Sequence, residues 1–408
     1  MSKGRTNPSS RRKFIKQTAL GSTAVLLSPF IGKLAEAHPL DDEKPATNIR
    51  EALIHPRNKS SMPGMFPGKV AEIYHPAPFE NGQPNVDIAY HMIAAGMLFL
   101  TSDLSAEELT DLSKLSGLKE KLKVAWRTFF TEKDIIGIKV NPVAGKELST
   151  TPQIVLAMIQ QLEEAGIPRN NIVIWDRREF QLKDAGFTQE AFPGIKLTGT
   201  ECQDEKESFY DAEGKLYGET RIDKSWYYWA DVEESYDAET IPYMINSGKH
   251  SYFSKIITEQ VDKIINVPVL KNAGASVTLA MKNLAFGSIS NTGRLHKKLW
   301  SETCAEVCAF PPLRDKTVLN IIDGLKGCFN GGPAANPEFI REFNTVLVST
   351  DPVAIDRIGY DIILKKRIAE NVQKEESPRG RKFMQLAADL NLGIEDINRI
   401  NRGTIHLQ

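Results

Sequence analysis

The sequence predicts an α/β fold, a mostly parallel sheet flanked by helices, with an aromatic-rich inserted cap segment. Three observations predict it. Apolar runs of strand length recur at 134–140, 171–175, 263–267, 317–322 and 345–349, and continuous apolarity suits strands buried on both faces. Segments whose apolar residues repeat at helical spacing lie between or after those runs. Strand and helix therefore alternate, which calls for right-handed crossovers between parallel strands.

Taken in order, residues 38–66 are polar and proline-spotted and read as an irregular arm or linker. Residues 70–74 suggest a strand, and 86–100 and 104–130 suggest helices. After the run at 134–140, Thr151 and Pro152 give an N-cap followed by proline at the first helical position. Ile154, Val155, Met158, Ile159 and Leu162 then form one helical stripe, which Gly166 ends. Residues 200–250 are acidic, weakly periodic and dense in aromatics, among them Phe209, Tyr210, Tyr217, Trp226, Tyr227, Tyr228 and Trp229. They read as an inserted cap whose rings pack on the main core, the alternative being a sugar platform or substrate lid. Helices are expected at 276–284, capped by Ser276, at 352–364, where Asp351-Pro352 repeats the cap signature, and at 379–390. No internal repeat is found. Residues 67–408 thus form a single α/β domain.

Composition bounds the function. The chain has 408 residues, 41% hydrophobic and 25% charged, with 28 Gly and 22 Pro, which excludes fibrous, collagen-like and wholly disordered classes. Its net charge of −1 hides an asymmetry: residues 1–37 hold 7 basic side chains and 1 acid, leaving 44 basic against 51 acidic residues in the remainder. An acidic body argues against nucleic acid as a partner. Ser10-Arg11-Arg12-Lys13-Phe14-Ile15-Lys16 resembles a twin-arginine export signal. An apolar stretch and an Ala35-Glu36-Ala37 cleavage site follow. That stretch is broken by Pro29 and Gly32 and falls short of the about 20 residues a bilayer requires. The expectation is a signal peptide over 1–37, engagement of the twin-arginine machinery, a periplasmic location and no stable membrane anchor after cleavage. As that route carries folded proteins, it raises the case for a bound cofactor without identifying one. Cys202, Cys304, Cys308 and Cys328 match neither a C-x-x-C redox motif nor an iron–sulfur ligand run. Buried thiols are the main reading, with disulfides or a metal–thiolate site as alternatives.

Ligands of open parallel sheets gather outside the carboxyl ends of the strands. The residues found there are Lys139 and Asn141, then Asp176, then Lys271 and Asn272, then Asp323, Gly331 and Gly332. Lys282 and Asn283 follow the cap expected at Ser276, and His296 lies on a nearby loop. Such a set suits an anionic ligand, with a divalent metal as an option. Lys139, Lys271 and Lys282 would hold anionic groups, with Asn141, Asn272, Asn283, Gly331 and Gly332 lining the site. Asp176 and Asp323 would hold a metal or act as base, and His296 would donate a proton. Asp176, His296 and Lys282 are the catalytic candidates. Each also has a plainer reading: Asp176 and Asp323 could begin turns, Lys139 could point to solvent, Gly331-Gly332-Pro333 could be a tight turn, and Asp351 is read as an N-cap. No P-loop, G-x-G-x-x-G, G-x-S-x-G or H-E-x-x-H occurs, which removes the simplest nucleotide, hydrolase and zincin assignments.

Several of these segments, in one order, carry a family resemblance. They are Gly137-Ile-Lys139-Val-Asn141-Pro142, Asn171-Ile-Val-Ile-Trp-Asp176-Arg177, Asn266-Val-Pro-Val-Leu-Lys271, Lys282-Asn283-Leu284, Asp323-Gly324-Leu-Lys326-Gly327, Gly331-Gly332-Pro333 and Thr350-Asp351-Pro352-Val-Ala-Ile-Asp356-Arg357. With them the chain resembles a bacterial family known as domain of unknown function 362, in particular its exported branch with a twin-arginine leader. The resemblance implies no reaction and no established catalytic residues. Some members of the wider family carry a ferredoxin-like iron–sulfur module. This chain lacks the cysteines for it, so no such cluster is expected. The leading expectation is an exported protein of unknown reaction that binds an anionic small molecule or cofactor. The alternatives are a non-catalytic periplasmic binding protein and an accessory subunit of a redox system.

Overall fold

The computed structural model describes residues 44–201, 210, 214–233, 248–274, 276–372 and 380–408. The leader, Cys202, Phe209 and the stretch 234–247 of the cap therefore lie outside the described residues.

In chain order the elements that build the site begin with strand β1 (Lys69–Tyr74) and helices α1 (Val86–Thr101) and α2 (Lys119–Phe129). Strand β2 (Ile136–Lys139), helix α3 (Pro152–Glu164) and strand β3 (Ile172–Arg178) form the expected βαβ unit. Helix α4 (Glu179–Asp184) leads to β4 (Lys196–Glu201), and β5 (Ile222–Trp229) and β6 (His250–Ser254) make a separate ribbon. Next come β7 (Lys263–Asn266), β8 (Val269–Ala273), β9 (Ser276–Thr278), α5 (Ala280–Ser288), α6 (Trp300–Cys308) and β10 (Thr317–Cys328). The chain ends with β11 (Ile340–Ser349), α7 (Pro352–Ala369), α8 (Lys382–Asp389) and β12 (Asn401–His406).

The main sheet runs β12-β1-β11-β10-β7-β2-β3-β4, with β8 and β9 branching from β10. Along that path β11 alone opposes its neighbours, so the α/β, mostly parallel expectation holds. Two apolar layers cover its faces. One holds α1, α2 and α3, including the fully buried Trp126 and Met158. The other holds α5, α6 and α7, including Trp175, Leu284 and Ile358.

Four expectations need correction. Residues 104–130 are a 3-10 turn (Glu107–Leu109) and two helices (Leu112–Ser116 and α2) rather than one helix. Asp111 caps the first of those helices through the amides of Ser113 and Lys114. Thr151 precedes α3 as expected, yet its hydroxyl makes no cap bond. Ser276 does not begin a helix. It starts strand β9, and its hydroxyl donates to the Gly380 carbonyl at 2.5 Å. Residues 44–66, expected as an irregular arm or linker, are an arm held to the body rather than a linker, because buried Arg314 donates to the carbonyls of Ala52, His55 and Pro56.

The described part of the cap segment packs on the body. Tyr228 is fully buried, donates to the Glu306 carboxylate at 2.9 Å, and meets Phe310 edge-on. Lys44 holds the other oxygen of Glu306 at 2.8 Å. Asp351 is the N-cap of α7, accepting from the amides of Val353 and Ala354. Cys304, Cys308 and Cys328 are buried free thiols. Among the described residues, no helix is long and apolar enough to cross a membrane.

Candidate functional site

The strand order creates a switch point. From β2 the chain moves outward to β3 and β4, then returns to the other side of β2 as β7 and continues to β10. The crevice at the carboxyl ends of β2 and β7 is where such sheets bind ligands. Lys139 and Asn266 are the last residues of those two strands and are paired with each other in register.

A chain of buried polar groups starts there. Lys139, with no exposure, ion-pairs with Asp176 at the end of neighbouring β3. Its ammonium also donates to the Val140 carbonyl at 2.8 Å and to Asn283 Oδ1 at 3.2 Å. Asn283 Oδ1 takes a second bond from Asn141 Nδ2 at 3.0 Å, while Asn283 Nδ2 donates to Asn266 Oδ1 at 2.8 Å. Asn266 Nδ2 continues to Asn320 Oδ1 at 2.9 Å on β10. Lys271 Nζ enters from the other side, donating to Asn141 Oδ1 at 2.8 Å and, at 3.5 Å, to the Leu148 carbonyl. Satisfied networks of this kind hold their members in one geometry.

Helix α5 brings Lys282 and Asn283 to the cluster, and its start is stabilised from a distance. Its N-cap position, Leu279, has no capping side chain. Instead the carboxylate of Asp356, on α7, accepts from the amides of Ala280 at 2.6 Å and Met281 at 3.0 Å. Gly287 closes the packing. A Cβ there would lie 2.5 Å from Lys139 Cε and 2.6 Å from Nζ, so a side chain at this position would have to displace the buried ammonium end of Lys139.

The charges do not balance. Lys139 is neutralised by Asp176, but neither Lys271 nor Lys282 has a carboxylate partner among the described residues. Lys282 Nζ donates to Thr278 Oγ1 at 3.3 Å and lies over the rings of Trp300 and Phe286 at 5.6 and 5.8 Å. Burial, followed by the neighbouring Lys282 cation, pushes the Lys271 ammonium down to about 7. Burial pushes Lys282 down to about 8. Burial also lowers Lys139, against the pull of Asp176.

Of the residues expected from sequence, Lys139, Asn141, Asp176, Lys271, Lys282 and Asn283 come together. The others are used differently. Asn272 Nδ2 donates to the Ser276 carbonyl at 3.0 Å within the β8–β9 hairpin. Gly332 packs on that hairpin, where a Cβ would lie 1.9 Å from the Asn272 carbonyl oxygen, while Gly331, exposed and at φ +71°, faces Asn336. Asp323 accepts from the amides of Thr151 at 2.7 Å and Leu325 at 3.1 Å, so both its oxygens hold backbone, and burial raises its pKa. His296 sits on a short helix rather than a loop, its Nδ1 2.9 Å from the Thr292 carbonyl and its ring 4.5 Å from Phe286. Burial first, then Lys282, pushes it down to about 3, so near neutral pH it carries no imidazolium proton to donate. Among the described residues, no three His, Cys, Asp or Glu side chains gather as a metal site would need.

Asn266, the last residue of its strand, and Asn320 are network members outside the expected site residues. Their signal is a single amide within or ending an apolar run, as in Val318-Leu319-Asn320-Ile321-Ile322. A buried amide there needs partners, and here each supplies the other's.

A groove of about 700 Å³ lies elsewhere, at the amino ends of β7 and β10, lined by Trp226, Lys263, Pro311 and Lys316 among others. Two of its three lysines are committed, Lys263 to the Phe129 carbonyl at 2.6 Å and Lys316 to the Ile257 carbonyl at 2.6 Å, and the third, Lys59, is exposed to solvent. The buried lysines without a carboxylate partner among the described residues are at the opposite end of the strands, which makes the lysine–asparagine cluster the candidate site.

No curated protein and no solved structure matches the chain. A family model described as "Domain of unknown function (DUF362)" matches residues 136–361, the span that contains every member of the cluster. On that match, which covers more than half of its length, the chain belongs to the family of domain of unknown function 362.

Proposed function

We propose that this is an exported protein that binds an anionic small molecule at the carboxyl ends of β2, β7 and β8. One observation carries the binding reading: Lys271 and Lys282 are buried together, and among the described residues neither has a carboxylate ion-pair partner. Removing an ammonium from water without a partner costs several kcal/mol. That cost opposes folding and is offset when an anion binds. Lys139, Asn141 and Asn283 belong to the same buried cluster, in which the Lys139–Asp176 pair is neutral. This reading needs no divalent cation. Asp176 is committed to Lys139 and Asp323 to backbone amides, and two further lysines would repel a metal ion.

Calorimetric titration of the purified protein with inorganic phosphate and with pyrophosphate tests the site. We expect saturable binding of at least one of them, weakened about tenfold or more in Lys282→Met. Absence of binding to both would remove the reading. Export is supported by the Ser10–Lys16 motif and the Ala35-Glu36-Ala37 site. Replacing Arg11 and Arg12 by lysine is expected to leave the protein in the cytoplasmic fraction with its leader uncleaved. Unchanged cleavage and fractionation would contradict the twin-arginine route.

A further inference from the structure

Lys271 differs from Lys139 in what surrounds its nitrogen. On β8 it stands directly opposite Thr278 of β9 in the antiparallel pair. Side chains so paired share a face and start about 4.5–5.5 Å apart. The Thr278 hydroxyl is in turn the hydrogen-bond partner of Lys282 Nζ. The hairpin therefore ties both lysines to Thr278, one through strand pairing and one through a hydrogen bond from α5, near enough for the Lys282 charge to act on Lys271. An ammonium has three hydrogens to donate. Lys271 Nζ finds two acceptors among the described residues, Asn141 Oδ1 and the Leu148 carbonyl. Two acceptors satisfy a neutral amine and leave its lone pair unused.

We propose that Lys271 is a nucleophile that captures the carbonyl carbon of a small oxo acid as a Schiff base, while Lys282 holds the acid's carboxylate. The proposal rests on the anion-site reading and adds a covalent step to it. Burial beside a second cation favours the neutral amine, which is the arrangement that activates lysine as a nucleophile. In the first step the nitrogen lone pair forms a C–N bond as the C=O π bond breaks. The carbonyl oxygen takes up the proton that nitrogen sheds, giving a carbinolamine. Its hydroxyl then leaves as water with one proton drawn from solvent, and an iminium ion remains. No oxidant or reductant is involved.

The test is reductive trapping on the purified full-length protein, with pyruvate or glyoxylate and sodium cyanoborohydride. Hydride reduction of the iminium would add one carboxyethyl or one carboxymethyl group, and peptide mapping should place it on Lys271. Lys271→Arg should lose the adduct, and Lys282→Met should slow its formation about tenfold. The wild-type map decides the matter even if a variant folds poorly. Labelling confined to surface lysines, or no labelling by either acid, would overturn the covalent proposal. If phosphate or pyrophosphate still binds in that case, the anion site stands without it. If neither anion binds, both readings fall together.

Discussion

Lys271 is the residue at which stability and chemistry pull in opposite directions. Its ammonium is fully buried and its pKa is lowered from 10.5 to about 7. A cation with a lowered folded pKa binds its proton more weakly in the folded state. Its cost to folding is therefore full below about pH 7 and disappears as pH rises toward 10.5. Replacing it with methionine, which fits the same stem, should stabilise the anion-free protein at pH 7 by on the order of 2 kcal/mol. In urea unfolding that advantage should shrink steadily between pH 7 and 10.5. A variant less stable than wild type at pH 7 would mean that the ammonium is already compensated. Asp356 is the opposite case: burial raises its pKa to about 8 although two amides pull it down. Its stabilising share is thus fullest below pH 3.8 and is lost as pH climbs toward 8. The sequence could offer Lys271 and Lys282 as candidates, since two lysines in a small apolar stretch are costly to bury. It could not reveal Asp356 as the cap of α5, because that bond joins residues 76 positions apart.

At the scale of elements, the segment that matters most was read with the wrong period. Residues 276–284 look like one capped helix, yet the first three are strand β9 and the helix starts at Ala280. Ser276-Val277-Thr278 pairs with Lys271-Asn272-Ala273, and that long-range pairing overrides a local cap signal. The error matters for function, because the hairpin is what brings Lys271 beside Lys282. The stripe of α3 was legible, since Ile154, Val155, Met158, Ile159 and Leu162 are all buried at helical spacing, whereas α1 is buried almost all round and shows no single face. Helix α5 supplies a sharper test of the packing. Glycine inside a helix normally costs about 1 kcal/mol relative to alanine. Gly287→Ala should nevertheless destabilise, by about 1–3 kcal/mol, because the new methyl displaces buried Lys139 from Asp176. It should also weaken phosphate or pyrophosphate binding. A gain in melting temperature would show that α5 has room to move and that Lys139 is not held as described.

For the molecule as a whole, sequence order was enough for an α/β assignment but not for the order of strands in the sheet. The apolar runs at 263–267 and 345–349 are equally continuous. One is a central parallel strand beside β2, and the other, β11, runs against its neighbours. Burial on both faces makes the two indistinguishable by pattern, and their pairing is decided by the whole chain. That pairing creates the switch point, gathers six of the expected site residues, and leaves Asp323, Asn272 and the two glycines to structural duties. The groove at the amino ends of β7 and β10 carries no comparable charge imbalance. Anion binding therefore depends on whether two lysines at the switch point remain unneutralised until an anion arrives. Lysine side-chain NMR, with the Cε carbons labelled and assigned by Lys271→Met and Lys282→Met, measures this directly. Without added anion, one resonance should titrate near 7 and another near 8, far below the ordinary 10.5. Phosphate or pyrophosphate should shift both upward. If every lysine titrates near 10.5 with or without these anions, the two amines are already neutralised or solvated, and the anion site does not exist.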